Sequence, residues 1–349
     1  MMEALEESEF LYPFQPYPGQ LEFSSTLYDA ANSRKLAILE SPTGTGKSMA
    51  IIAAILKWLI DSEQVFRDNL TKLKKDDDSL AESEDWLAVA EQRRDLKDKM
   101  LDVETVLSWL DESEKRSKEA QAKLADLKVQ LKLQPKETTA SGAINIVKDD
   151  DDFIASDDEE ENGSDDESKK DESTDFPPVP QVIYASRTHS QLGQFVEELK
   201  RHKISARVVS LGSRQMMCIN DQVRSNNSSG WLINDRCAEL RKKKGTKGCK
   251  FYNQKRMSTL SDALLGEIMD IEDIVSKGRS VCACPYYAAR RSISRVQVVV
   301  VPYPLLFQAS ARESSGIRLN HSLIVIDEAH NLYVRFEIGA FDNHLFKHL

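Results

Sequence analysis

Two rhythms of apolar positions run along the chain. Continuous apolar runs occur at Leu36–Leu39, Val182–Ala185, Arg207–Ser210, Gln297–Val301 and Leu323–Ile326, each followed by polar turn residues and a helically spaced segment. Short runs of this kind predict strands whose two faces are both covered by helices, as in a parallel α/β sheet. A helix is expected from Lys47 to about Asp61. Beyond it the pattern changes. From Trp86 to Leu133 the chain is rich in Lys, Glu, Leu and Ala, with Leu96, Met100, Val103, Leu107 and Leu110 three or four apart, which predicts a helix or helical hairpin. From Asp149 to Asp175 Asp, Glu and Ser dominate and there is almost nothing to bury, so disorder is expected. Both segments read as one insertion in the sheet domain.

Composition narrows the class. Hydrophobic residues make up 40% of the 349 positions and charged residues 30%, which fits a soluble chain with solvated segments, and no apolar run reaches transmembrane length. The start MMEALEESEF is acidic and lacks the apolar middle of a secretory signal, so an intracellular location is expected. In a reducing compartment the five cysteines read as free thiols or metal ligands rather than a disulfide framework. The net charge of −10 argues against a nucleic-acid partner until it is located. Fourteen Asp and Glu against two Lys lie between positions 149 and 172, and the remainder is slightly positive.

Two segments carry recognisable chemistry. Glu40-Ser41-Pro42-Thr43-Gly44-Thr45-Gly46-Lys47-Ser48 follows the first predicted strand and opens a helix, the context a phosphate-binding loop requires. Its glycines let backbone N–H groups converge on phosphate oxygens, Lys47 reaches the β/γ-phosphates and Ser48 ligates magnesium. The general pattern wants Gly where Ser41 stands, but T-G-T-G-K-S is the helicase form of the loop. The second segment, Asp327-Glu328-Ala329-His330, ends the run Leu323–Ile326. Carboxylates at the C-terminal end of a buried strand can hold Mg²⁺ and position a water. Asp327 is assigned to the metal, Glu328 to polarising the attacking water, and His330 to the same catalytic set.

With these in place the chain resembles the XPD-like superfamily 2 iron–sulfur DNA helicases. The resemblance rests on SPTGTGKS, YASRTHSQL (Tyr184–Leu192), LGSRQMMC (Leu211–Cys218), ACPYY (Ala283–Tyr287) and VIDEAHNL (Val325–Leu332), in that order. LINDRC (Leu232–Cys237) and the long charged insertion look most like the chromosome-loss, cohesion-linked DEAH branch. The implied fold is α/β: a RecA-like parallel sheet motor domain with an inserted iron–sulfur cluster domain and a charged helical and disordered insertion. The motor domain is expected from residues 1–61, 181–213 and 296–332, the helical insertion from 62–148, an acidic linker from 149–180, and the cluster domain from 214–295.

The resemblance also implies roles. Cys218, Cys237, Cys249 and Cys284 match the family's [4Fe–4S] ligands, with Cys282 left as either a free thiol or an alternative to Cys284. Arg187, Thr188 and Gln191 match the segment the family uses on single-stranded DNA, and Tyr303, after Pro302, matches a second strand-contacting turn. A helix N-cap at Thr188 is the ordinary alternative. Gln20, in Tyr12–Gln20, is placed on the adenine edge, with Phe14 or Tyr17 to stack. Arg236, Arg241, Lys242, Lys243, Lys244, Lys247, Arg290, Arg291 and Arg295 offer charges for phosphates, and Tyr286, Tyr287 and Phe251 offer faces for bases.

The implied cofactors are ATP, Mg²⁺ and a [4Fe–4S] cluster. The implied setting is the nucleus, in DNA repair and sister chromatid cohesion, on single-stranded and forked DNA, with 5′-to-3′ polarity and with replication or cohesion proteins as partners of the acidic insertion. Residues 333–349 depart from the family's continuation, and no second motor domain follows to supply an arginine finger. The expectation is therefore an N-terminal part only, binding ATP, hydrolysing it weakly and not unwinding. A catalytically inactive module regulating the full-length enzyme, and a P-loop ATPase with a zinc domain, are the competing readings.

Overall fold

The structure is a computed structural model that describes residues 10–42, 44–81, 86–133, 177–202, 206–224, 230–243 and 247–332. Four strands form one parallel sheet: β1 (Gln181–Ser186), β2 (Val208–Ser210), β3 (Val298–Pro302) and β4 (Ser322–Ile326), in the order β2-β3-β1-β4. Val182 of β1 sits opposite Val298 of β3 and Leu323 of β4.

The continuous apolar strands serve two cores, because successive side chains point to opposite faces. Val182, Tyr184, Val208, Val298, Val300 and Val325 face one cluster with α1 (Pro18–Asn32), α2 (Lys47–Ala81) and α4 (His189–Arg201). Ile183, Ala185, Val209, Val299 and Val301 face the other, packed on α7 (Gln254–Gly266), α8 (Ile271–Ser280) and α9 (Pro285–Ser292). Those helices, with α5 (Arg214–Met217) and α6 (Gly230–Lys242), form the crossover from β2 to β3, so the cysteine-bearing region shares a core with the parallel sheet. Two short helices, α10 (Tyr303–Phe307) and α11 (Ala309–Ser315), connect β3 to β4.

The insertion is structural where it is described. α2 runs unbroken through position 61 to Ala81, and α3 (Trp86–Leu133) returns beside it, tied by ion pairs Arg67–Asp111, Lys74–Glu104 and Arg93–Asp77. Leu107 and Leu110 are buried as their spacing predicts. α3 also docks on α7, where the Ser117 hydroxyl donates to the Leu265 carbonyl at 2.7 Å. The Trp109 indole N–H donates to the Ser294 carbonyl at 2.8 Å. Val179, inside the expected acidic linker, is buried against Val106 and Leu110. The disorder expected over 149–175 and the atypical tail at 333–349 lie outside the described residues.

One predicted strand is corrected. Leu36–Leu39 is extended but joins no ladder, and Leu36 and Ile38 are 73% and 90% exposed. An apolar β-branched run favours extended backbone, but pairing and burial are tertiary gains that the pattern alone does not supply. Here β4 pairs only with β1 among the described residues.

Candidate functional site

The loop expected to bind phosphate lies between α1 and α2. Gly44 and Gly46 have φ of +82° and +75°, a left-handed conformation that side chains rarely adopt. Gly46 has a second constraint, since a Cβ there would stand 2.3 Å from the Gln20 amide nitrogen. Gln20 is buried; its Nε2 donates to the Thr45 carbonyl at 3.1 Å, and its Oε1 accepts from the Tyr17 N–H at 3.0 Å. The residue expected on the adenine edge thus braces the loop in this state. Ser41 and Thr45 hydroxyls meet at 2.6 Å, and Thr45 donates to the Pro42 carbonyl at 2.9 Å. Ser41 therefore stitches the loop where the general pattern has Gly. Thr43 lies outside the described residues. Beside the loop is a cavity of about 490 Å³, lined by Gln20, Leu39, Ser41, Pro42, Lys47 and the exposed ring of Tyr17 among others.

The DEAH segment meets the loop from the sheet. The Asp327 N–H donates to the Ala185 carbonyl at 2.9 Å, continuing the β1–β4 ladder past the strand end. The Tyr184 hydroxyl donates to Asp327 Oδ2 at 2.8 Å, and the Tyr303 hydroxyl donates to the Asp327 carbonyl. Burial and then the Asp327 carboxylate push the Tyr184 phenol far above its usual range, so it acts as a fixed donor; Tyr303 is raised for the same reasons. Glu328 has φ of +55°, and its N–H donates to Asp327 Oδ1 at 3.0 Å. Its Oε1 lies 3.6 Å from Lys47 Nζ, while His330 Nδ1 is 3.4 Å from its Oε2. Lys47, Asp327, Glu328 and His330 are therefore brought together at the C-terminal edge of the sheet, the expected ligand position in an α/β fold.

Sequence reasoning missed Tyr184 as a donor, and it missed Glu198 of α4. Burial raises the Glu198 carboxyl, a hydrogen bond from Ser48 opposes this, and Asp327 adds to it. Glu198 Oε2 is buried with no hydrogen-bond partner among the described residues. Ser48, Asp327, Glu328 and Glu198 carry the oxygen donors a hard divalent cation such as Mg²⁺ takes, but among the described residues the three carboxylates do not gather within 4.8 Å of one another.

The expected strand-contacting residues divide. Arg187 is exposed, and its Nη1 donates to Asn331 Oδ1 at 2.7 Å. Thr188 caps α4, accepting from the Gln191 N–H at 3.3 Å, and Gln191 Oε1 accepts from Ser186 Oγ at 2.9 Å and from the Thr188 N–H at 3.2 Å. Both side chains are engaged in a capping box. Tyr303 is 1% exposed and supports the DEAH segment instead of presenting a ring to a strand.

Four of the five cysteines share a second cavity. Cys218, Cys237, Cys249 and Cys284 line it together with Asn220, whose amide approaches Cys249 Sγ at 3.4 Å. Burial pushes the Cys218 thiol up, and Cys284 up to about 12. Cys282 is exposed and does not line the cavity. All five thiols are free, and among the described residues no three cysteine sulfurs lie within 4.8 Å of one another.

The base-stacking and phosphate expectations here need correction. Tyr286 is buried between the guanidiniums of Arg290, 3.4 Å from its ring centre, and Arg214, 4.3 Å away. Arg290 is itself buried, with burial holding it near 10, and Arg295 lies over the Trp109 ring. These groups serve the interior because the cysteine helices pack on the sheet. Arg236, Arg241, Lys242, Lys243 and Lys247 are on or next to α6, and Lys244 lies outside the described residues.

Comparison with known proteins agrees with this geometry. The DEAD_2 family matches residues 184–338. The chain is 35% identical over 384 residues to ATP-dependent DNA helicase DDX11 of Danio rerio, covering 94% of this chain and 42% of that protein. It is 32% identical to the Homo sapiens protein of the same name, covering 93% and 40%, and 34% identical to ATP-dependent DNA helicase CHL1 of Yarrowia lipolytica, covering 95% and 42%. The chain thus spans less than half the length of the relatives it matches. With a glycine-bearing loop and a DEAH carboxylate pair meeting at one edge of a four-stranded parallel sheet, this chain matches the DEAD_2 helicase family over residues 184–338 and is similar along nearly its whole length to the ATP-dependent DNA helicases DDX11 and CHL1.

Proposed function

We propose that this chain is the nucleotide-binding and strand-gripping portion of an ATP-dependent DNA helicase. The observation that carries this reading is the Lys47–Glu328 pair, which joins the phosphate loop to the DEAH carboxylates. Lys47 is held by Glu328 and is available to exchange that partner for the β/γ-phosphates of ATP, supported by the N–H groups of Gly44, Thr45, Gly46 and Ser48. Bound Mg²⁺ would neutralise phosphate charge, with Ser48 and Asp327 as its proposed holders and Tyr184 orienting Asp327. Glu328, once Lys47 leaves, is free to orient and deprotonate a water. Tyr17, at the cavity wall, is placed to stack on the base.

Among the described residues that line the cleft, Lys47 is the one cation, and no arginine reaches it. Among the described residues at this cavity, transition-state charge on the transferred phosphoryl group meets no guanidinium, a group that in related enzymes contributes about 10³–10⁵ in rate. This favours a second reading of the isolated chain, as a binding module that holds nucleotide and DNA with little turnover.

The cysteine cavity is proposed to hold an iron–sulfur cluster. What supports this is that the four cysteines matching the family's cluster ligands line one cavity, with the fifth outside it. Bound there, a cluster would supply a rigid crosslink between α5, α6, the loop at Cys249 and α9. Nuclear action in DNA repair or cohesion, and 5′-to-3′ polarity, are proposed from the family resemblance. No helix among the described residues is long and apolar enough to cross a membrane.

The test is ATP binding and hydrolysis by anaerobically purified protein, with and without single-stranded DNA, against Lys47→Ala. Nucleotide binding that falls at least about tenfold in the variant (roughly 1.4 kcal/mol) is expected, with turnover near background. Equal binding in the two proteins would overturn the assignment of the loop, and vigorous DNA-stimulated turnover would overturn the binding-module reading.

A further inference from the structure

We propose that Asn331 is a positioning residue that couples occupancy of Arg187 by a backbone phosphate to the state of Glu328 and Lys47. The inference rests on the helicase reading above and adds to it a specific relay between the strand-binding turn and the nucleotide site.

The chain of contacts is continuous. Arg187 Nη1 is 2.7 Å from Asn331 Oδ1, Asn331 Nδ2 is 3.0 Å from His330 Nε2, His330 Nδ1 is 3.4 Å from Glu328 Oε2, and Glu328 Oε1 is 3.6 Å from Lys47 Nζ. Its proton directions follow from one end. A guanidinium has donors and no acceptor, so the Asn331 atom facing Arg187 is the carbonyl oxygen. The atom facing His330 is then the NH₂ group, which donates, so His330 Nε2 accepts. A neutral imidazole accepting at Nε2 carries its proton on Nδ1. That nitrogen lies 3.4 Å from Glu328 Oε2, an electrostatic approach rather than a directed hydrogen bond. The two hydrogen bonds from Arg187 through Asn331 to His330 thus run toward Glu328, where bonds in series polarise one another, and the final step to the carboxylate is an electrostatic contact.

In this state both Glu328 oxygens are engaged, one by Lys47 and the other by His330, while the side chain stays 30% exposed. The same Asn331 Nδ2 contacts the Glu328 carbonyl at 3.1 Å, bracing a residue held at φ of +55°. Such backbone strain persists only where neighbouring contacts hold it. Arg187 is exposed, so it can exchange Asn331 for a phosphate. That exchange removes the first donor of the relay and frees the Asn331 side chain, which loosens His330 and the Glu328 latch on Lys47. Strand binding is thereby expected to favour nucleotide binding, and by linkage the reverse holds by the same factor.

The experiment measures affinity for a fluorescent non-hydrolysable ATP analogue with and without saturating oligothymidylate, and for oligothymidylate with and without the analogue. The wild-type chain is expected to show mutual tightening of about fivefold, the low end of allosteric coupling. Asn331→Ala is expected to bring that factor close to one while both ligands still bind. Asn331→Asp places a carboxylate against Arg187 and is expected to weaken oligothymidylate binding, opposite to what removal of the clamp does. Coupling that persists in Asn331→Ala, wild-type binding of both ligands without coupling, or unchanged oligothymidylate affinity in Asn331→Asp would each overturn the relay. Failure of the wild-type chain to bind nucleotide or oligothymidylate at all would instead overturn the helicase reading on which the relay rests.

Discussion

At the scale of single residues, chemistry at this site is set by which partner each group already has. Cys284 and Cys218 are buried thiols whose charged forms are disfavoured, whereas Cys282 is exposed and held at φ of +51° two residues away. Without a bound cluster, alkylation near pH 8 is expected to label Cys282 first, with Cys284 and Cys218 protected; mass spectrometry of labelled peptides checks the order. The sign of the pH effect follows from linkage. A thiol raised from about 8.5 in the unfolded chain contributes stability in the cluster-free protein that is present below that pH. The contribution is lost as pH rises toward about 12. Alkaline thermal melts are therefore expected to fall above about pH 8.5, less steeply in Cys284→Ala than in the parent. The meeting of Lys47 with Glu328 was legible in the sequence because the two motifs that hold them carry a recognisable order of residue types, whereas the four cysteines were singled out through the family resemblance and not by their spacing. Tyr184, Glu198 and Asn331 were not legible, since a tyrosine in a strand, a glutamate on a helix and an asparagine after a motif have no local signature. Tyr303 was misread for the same reason: spacing located its turn but not the face it would bury.

At the scale of elements, two glycines give opposite expectations. Gly266 ends α7 against α3, where a Cβ would stand 2.8 Å from the Ala120 Cβ and 3.0 Å from the Gln121 backbone nitrogen. Overpacking at a helix contact costs about 1–3 kcal/mol, more than the ~1 kcal/mol that alanine gains over glycine in a helix. Gly266→Ala is expected to destabilise. Gly193 lies inside α4, where an added Cβ would have nothing within 4 Å, so Gly193→Ala is expected to stabilise by about 0.5–1 kcal/mol. Urea titration of both variants reads the sign directly; a neutral Gly266→Ala would mean that α3 is not docked as described. Periodicity located α3, through Leu107 and Leu110, but its partner was invisible because small residues such as Ala120 and Gly266 carry no apolar signal. The Leu36–Leu39 run shows the converse case, in which a strong local pattern lacks the neighbour that would complete it.

At the scale of the whole molecule, the cysteine-bearing helices and the parallel sheet are not separable bodies. Their shared core joins Ile183, Val209 and Val299 to Leu260, Ile274 and Tyr286. Unfolding monitored by far-ultraviolet circular dichroism and by the Trp109 environment is expected to give coincident transitions, as for a single cooperative unit. Separate midpoints would show that the cysteine region opens on its own. The same scale gives meaning to the length of α2. This helix starts at Lys47, in the loop that would grip phosphate, and runs for 35 residues, about 50 Å at 1.5 Å per residue. It acts as a pointer whose pivot is the nucleotide: a tilt of about 2° at Lys47 would sweep its far end by about 2 Å. Among the described residues, the far end of α2 at Ala81 is thus where an ångström-scale event at the phosphates would be most enlarged, far from the cleft itself.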